Sequence, residues 1–179
     1  MKNKGRIVSC DVATGRLIRS KARLKRAGVH NATLRVLEGD HDKWVKRQKD
    51  MFDRVLVDAP CSGIGSWRRN PDARWRLAPE NIDNLRATQD KVLELAAPVV
   101  KKGGRLIYAT CSLLPEENQD RVNAFLTRHP NFRPVPWATV WPTAVGTPPP
   151  QRAEGDFLTL TPARHGSDGF FVAIMERVS

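Results

Sequence analysis

Four short apolar runs, each ending in an acid or leading into a thiol, limit what this chain can fold into. Arg6-Ile-Val-Ser-Cys-Asp-Val12 is the first, and Thr33 to Leu37 alternates like a strand before Glu38-Gly-Asp40. Arg54-Val-Leu-Val-Asp58 is closed by Ala59-Pro60, and Arg105-Leu-Ile-Tyr-Ala109 runs into Thr110-Cys111. Runs of this length and composition read as buried strands. Between them lie helical patterns. Arg16 to Ala27 carries Leu17, Ile18, Ala22 and Leu24 at helical spacing and stops at Gly28. Pro79 to Val100 opens on a proline suited to a first turn, and Pro98 ends or kinks it. Gly103-Gly104 is expected to break the chain before the next strand. Pro115 to Arg128 reads as a helix opened by Glu116 and Glu117, whose charges suit a helix start. Phe170-Phe-Val-Ala-Ile-Met175 is a final strand. Strands alternating with helices predict an α/β fold with a mainly parallel sheet. Residues 130–162 hold most of the thirteen prolines and read as an irregular insertion or lid within one domain, 1–179, not as a second domain.

Composition narrows the class further. At 179 residues, 40% hydrophobic and 27% charged, the chain is an ordinary globular domain. No apolar run approaches the roughly 20 residues that span a bilayer, so no membrane partner is expected. Met1-Lys-Asn-Lys-Gly5 is basic without the apolar stretch of a signal peptide. Three cysteines are too few and too scattered for a disulfide framework, and none forms a Cys-x-x-Cys pair, so no metal is expected and the location expected is cytoplasmic. The net charge is +11, of which residues 1–54 carry +9 and residues 55–179 carry +2. A basic surface of this size attracts nucleic acid through counterion release; a solvated, solubilising face is the competing reading.

In open α/β sheets ligands bind beyond the carboxyl ends of the strands. Asp11, Asp40, Asp58, Cys61 and Cys111 all stand there. A strand-end carboxylate can accept both hydroxyls of a ribose, which suits Asp11, and Asp40 could accept from the exocyclic amine of an adenine. Each alone is equally a helix cap or turn residue. Cys61 sits in the tight turn Asp58-Ala-Pro-Cys-Ser-Gly63, and Cys111 lies between a strand and a helix start, where a thiol's pKa is lowered. Cys10, inside a strand, is expected to be a small buried hydrophobe. Trp67-Arg-Arg-Asn-Pro-Asp-Ala-Arg-Trp-Arg76 interleaves two tryptophans with four arginines. It suits either RNA, with Arg68, Arg69 and Arg74 on phosphates and Trp67 stacking on a base, or a surface loop whose tryptophans pack inward. The helix with Arg16, Arg19, Lys21, Arg23, Lys25 and Arg26 is an RNA flank or a solvated face.

Asp58-Ala-Pro-Cys-Ser-Gly63, Tyr108-Ala-Thr-Cys-Ser-Leu-Leu-Pro-Glu-Glu-Asn118 and Asp168-Gly-Phe-Phe171 resemble the signature segments of the Sun/RsmB family of RNA cytosine carbon-5 methyltransferases. Arg23-Leu-Lys-Arg-Ala-Gly28 and Asn70-Pro-Asp72 with Trp75 are similar to its intervening segments. The resemblance covers most of residues 4–130 and 166–176. It implies a Rossmann-like S-adenosylmethionine-dependent methyltransferase fold and an RNA substrate, with ribosomal RNA favoured over transfer RNA. By the same resemblance Cys111 is the nucleophile, Cys61 assists product release, and Asp58 hydrogen-bonds the target base. Asp11, Asp40 and Asp58 are the acids assigned to the cofactor. The family's Gly-rich cofactor loop has no counterpart, since Gly103-Gly104 precedes a strand instead of following one. The expectation is therefore an N-terminally truncated catalytic portion that binds the cofactor poorly when isolated. Two functions follow: the RNA methyltransferase itself, or a catalytically inactive, basic RNA-binding fragment of one. A DNA cytosine methyltransferase, attacking with its Pro-Cys thiol, would leave the Thr-Cys segment unexplained.

Overall fold

A computed structural model describes residues 2–39, 42–145 and 155–179. The chain divides into two compact units, Met1–Trp44 and Val45–Ser179.

In the first unit, β1 (Ile7–Asp11) and β2 (Ala32–Val36) pair in parallel from Ile7 opposite Ala32 to Asp11 opposite Val36, and α1 (Thr14–Arg26) connects them. Leu17 is the one α1 side chain fully buried, and all six cations of the helix are exposed. The last turn carries Arg23, Lys25 and Arg26, which complement the carboxyl end of the helix dipole. Gly28, with φ of +65°, ends the helix as the sequence predicts. Cys10 differs from expectation: it lies in β1 but is exposed. A strand gains burial only from what packs on its face, and none of the strand side chains of this small unit is fully buried.

The second unit begins in α2 (Lys43–Lys46) and continues through β3 (Phe52–Asp58), α3 (Pro79–Ala96), β4 (Val100–Thr110), α4 (Gln119–Arg128), β5 (Phe132–Pro134), α5 (Trp137–Val145), β6 (Leu158–Leu160), α6 (Pro162–His165) and β7 (Phe170–Arg177). Its sheet has the order β3-β4-β7-β5, with β6 also on β7. β3 and β4 are parallel, and β7 runs antiparallel to β4, β5 and β6, so β7 alone opposes the common direction. Residues 146–154 of the proline-rich stretch lie outside the described residues; its flanks contribute β5, α5 and β6.

The core forms where α3 and α4 cover the sheet: Leu93, Leu106, Tyr108, Phe125, Phe171 and Met175 are all fully buried. Side chains of this size each contribute about 1.5–3 kcal/mol on burial. Two local expectations are corrected. Gly103-Gly104 does not break the chain before β4 but lies within the strand, as a bulge. Phe52 pairs with Val100, yet two residues on Arg54 already faces Arg105, and Gly103 takes up the excess with φ of +73°. Nor is residues 115–128 one helix. A 3₁₀ turn at Pro115–Glu117 is separated from α4 by Asn118, at φ −112° and ψ −102°. Glu117 and Asn118 are buried, and their polar side chains are satisfied by loops rather than by solvent.

Candidate active site

β3 and β4 are neighbours in parallel, so their carboxyl ends leave the sheet side by side. Asp58 lies opposite Ala109, and the Ala59 N–H continues the ladder to the Ala109 carbonyl at 2.9 Å. The loops that follow therefore start together. Cys61 lies three residues past β3 and Cys111 one past β4, and their Sγ atoms stand 3.4 Å apart. Both thiols are free and half-buried.

Such a pair does not titrate as two ordinary thiols. Either sulfur can donate across this contact; with Cys61 as the donor it stabilises a thiolate at Cys111, whose pKa falls to about 7 against its own partial burial. The same hydrogen bond, reinforced by burial, pushes Cys61 far above the ordinary thiol range. The sequence points to a lowered thiol at position 111 through a helix start; here the neighbouring thiol is the dominant cause. One sulfur is thus poised as a nucleophile and the other holds a proton beside it.

The two loops are tied by residues that a reading of the acids and thiols overlooked. Glu117 is fully buried and its carboxylate accepts from the Ser62 N–H at 2.9 Å, the Ser62 hydroxyl and the Ser112 hydroxyl at 2.5 Å each, and Gln89 Nε2 at 3.1 Å. Gln89 Nε2 also donates to the Pro60 carbonyl at 2.9 Å. The Tyr108 hydroxyl, whose pKa is pushed up by burial, donates to the Glu117 carbonyl at 2.7 Å. Asn118 joins Thr110 to the Ser112 carbonyl. The sequence held one signal of this, since Cys61 and Cys111 are each followed by serine.

A third segment closes the site from below. The Gly65 N–H donates to the Cys111 carbonyl and the Gly169 N–H to the Gly65 carbonyl, both at 2.9 Å. A Cβ on Gly65 would lie 2.4 Å from the Gly169 carbonyl oxygen, so only glycine fits. Asp168, beside it, pairs with Arg68 at 3.4 Å and with Arg69, and these guanidiniums hold its carboxyl below the usual range.

The other predicted site residues fall as follows. Asp58 is exposed at the end of β3, and its charge acts on Cys111. Asp11 ends β1 in the first unit. Its Oδ1 accepts from the Ala13 N–H at 2.8 Å, and its Oδ2 meets the exposed Arg16 at 3.4 Å. Asp40 lies outside the described residues. Arg68, Arg69 and Arg74 are exposed, Arg74 lying over the ring of Trp75 at 5.6 Å, and Trp75 is 82% exposed. Trp67 is half-buried, and its Nε1 is buried with no hydrogen-bond partner among the described residues. The two tryptophans thus divide between the alternatives, one turned inward and one outward.

Compared with known proteins, residues 1–176 match the family model described as 16S rRNA methyltransferase RsmB/F. The chain is 36% identical over 178 residues to a probable ribosomal RNA small subunit methyltransferase B of Synechocystis sp., covering 99% of this chain and 39% of that protein. It is 37% identical over 173 residues to ribosomal RNA small subunit methyltransferase B of Photorhabdus laumondii, covering 95% and 36%. Among solved structures it is similar to PH0851, with 37% identity and a TM-score of 0.85 over 99% of this chain and 38% of that one. The chain spans less than two fifths of the length of these relatives.

Proposed function

Since the chain belongs to the 16S rRNA methyltransferase RsmB/F family, we propose that it is a catalytic portion of an RNA cytosine carbon-5 methyltransferase acting on ribosomal RNA with S-adenosylmethionine. The observation that carries this reading is the 3.4 Å approach of the Cys61 and Cys111 sulfurs. Carbon 5 of cytosine is a poor nucleophile, and a chain that modifies it must first activate the ring. The Cys111 thiolate attacks carbon 6, a carbon–sulfur bond forms, and the displaced electron pair gives carbon 5 enamine character. S-adenosylmethionine, when bound, supplies an electrophilic methyl group. Asp58, at the strand end beside the thiols, accepts from the amine edge of the base and holds it in place during attack.

Release follows from the same pair. While Cys111 is a thiolate, its hydrogen bond is the largest influence keeping the proton on Cys61. Once its sulfur is bonded to carbon 6 it is no longer an anionic acceptor. Cys61 then loses its proton to water and, as thiolate, takes the proton from carbon 5. The C–H electron pair restores the ring double bond, the carbon–sulfur bond breaks, and Cys111 leaves as thiolate.

The residues present fit the cofactor where they are described. Asp11 has one oxygen anchored by backbone and a second held by a long contact to exposed Arg16, which leaves it able to accept from a ribose hydroxyl. Asp40 is assigned the adenine end. Arg68, Arg69 and Arg74 are the RNA-contacting residues of this reading, supported by the exposed Arg74 and Trp75; Trp67, turned inward, is not carried over as a stacking residue. The test is to mix single variants with RNA and the cofactor and resolve protein–RNA adducts by denaturing electrophoresis. Cys61→Ala is expected to accumulate a covalent species and Cys111→Ala to form none. Normal methylation by both variants would overturn the assignment.

A further inference from the structure

From the sequence Glu117 reads as an acid opening a helix, and the chemistry above does not use it. Its placement is unusual. It is fully buried, and the partners of its carboxylate among the described residues, Ser62, Ser112 and Gln89, are all groups that shape the two cysteine loops. Oε2 accepts from the hydroxyls of Ser62 and Ser112, the residues directly after Cys61 and Cys111, which are themselves 3.2 Å apart. Oε1 accepts from the Ser62 backbone and from Gln89, which also grips the carbonyl of Pro60, directly before Cys61.

We propose that Glu117 is a positioning residue whose buried carboxylate clamps the loops of Cys61 and Cys111 together and so sets the spacing of their two sulfurs. A buried carboxylate needs its acceptor sites filled, and here the two loops in register fill them together with Gln89 of α3. Without the clamp each loop keeps its own strand and loses the tie to the other. The inference rests on the two-cysteine reading for its purpose, but its geometry can be tested without RNA or cofactor.

Diamide, a dithiol oxidant, serves as the ruler. The two thiols give up two electrons and two protons to its nitrogen–nitrogen double bond and form a disulfide, while the reagent becomes a hydrazine. Mass mapping of the Cys61–Cys111 link over time reports how often the sulfurs meet. Glu117→Ala is expected to slow this link at least tenfold. Glu117→Gln keeps oxygen and nitrogen within reach of the same four partners and is expected to stay within threefold of the parent protein. Phe132→Leu, a core truncation paired with Arg177 at the other end of β7 from the residue facing Thr110, should leave the rate unchanged. Parental linking in Glu117→Ala, equal slowing in Glu117→Gln, or equal slowing in Phe132→Leu would each overturn the proposal. Should Glu117→Ala fail to fold, the Ser62→Ala/Ser112→Ala double variant takes its place, with at least threefold slowing expected and an unchanged rate counting against the clamp. A clamp that fails this test leaves the adduct experiment untouched, and a failed adduct experiment leaves the spacing measurement standing.

Discussion

The two units use the same β-α-β grammar and invest it differently. β1 and β2 pair over five residues each, none of their side chains is fully buried, and their connecting helix buries a single leucine. β4 buries Val100, Leu106, Tyr108, Ala109 and Thr110, and delivers Cys111 into a network of buried hydrogen bonds. A thiol at the end of β4 is thereby held to a partner at 3.4 Å, whereas Cys10 in β1 is exposed. The two sulfurs held in register sit on the deeply packed unit, and most of the excess positive charge sits on the shallow one.

The sharpest way to break that contrast is at the sulfurs. Cys111→Ala is expected to lower methyl transfer by at least about 10³-fold, as loss of a nucleophile does, whereas Cys10→Ala should leave it within twofold; a rate assay on both decides whether the deep unit carries the chemistry. Next come the cores. Leu93→Ala should cost about 3 kcal/mol of global stability in denaturant unfolding. Leu17→Ala should act mainly by loosening amide-exchange protection in residues 7–36, because the first unit has little core to share the loss. Gly65→Ala should cost about 1–3 kcal/mol, since the new methyl must displace the Gly169 backbone. The smallest effect is a titration. Iodoacetamide labelling of Cys111 should rise with pH through a midpoint near 7, because its folded pKa is depressed and the thiolate is the reactive form. Cys10, whose pKa is raised by partial desolvation of its sulfur although the residue is exposed, should label only above the ordinary thiol value. In Cys61→Ala the Cys111 midpoint should climb toward the unperturbed value of about 8.5.

Much of this was readable in the residues. Asp58 and the two thiols mark the carboxyl edge of the second unit's sheet because parallel β3 and β4 bring their ends together, and the Pro-Cys and Thr-Cys segments name the pair; Asp11 ends β1 of a separate two-stranded sheet. The break at Asn118, the bulge at Gly103 and the Glu117 network were not readable. They depend on which side chains a neighbouring loop satisfies, and such pairings join residues as far apart as Ser62 and Glu117. Cys10 shows the same limit from the other side. Its apolar neighbours predict a strand, but burial depends on what packs against that strand.

The Gly65 junction has a consequence for biosynthesis. Arg68 and Asp168 are a hundred residues apart, and the Gly169 N–H completes the underside of the thiol loops. A ribosome-bound chain that has emerged only as far as Cys111 already contains both sulfurs but lacks the segment that seats the first loop. The Cys61 loop is thus seated only after Gly169, at the entry to the antiparallel strand, has been synthesised and docked on Gly65.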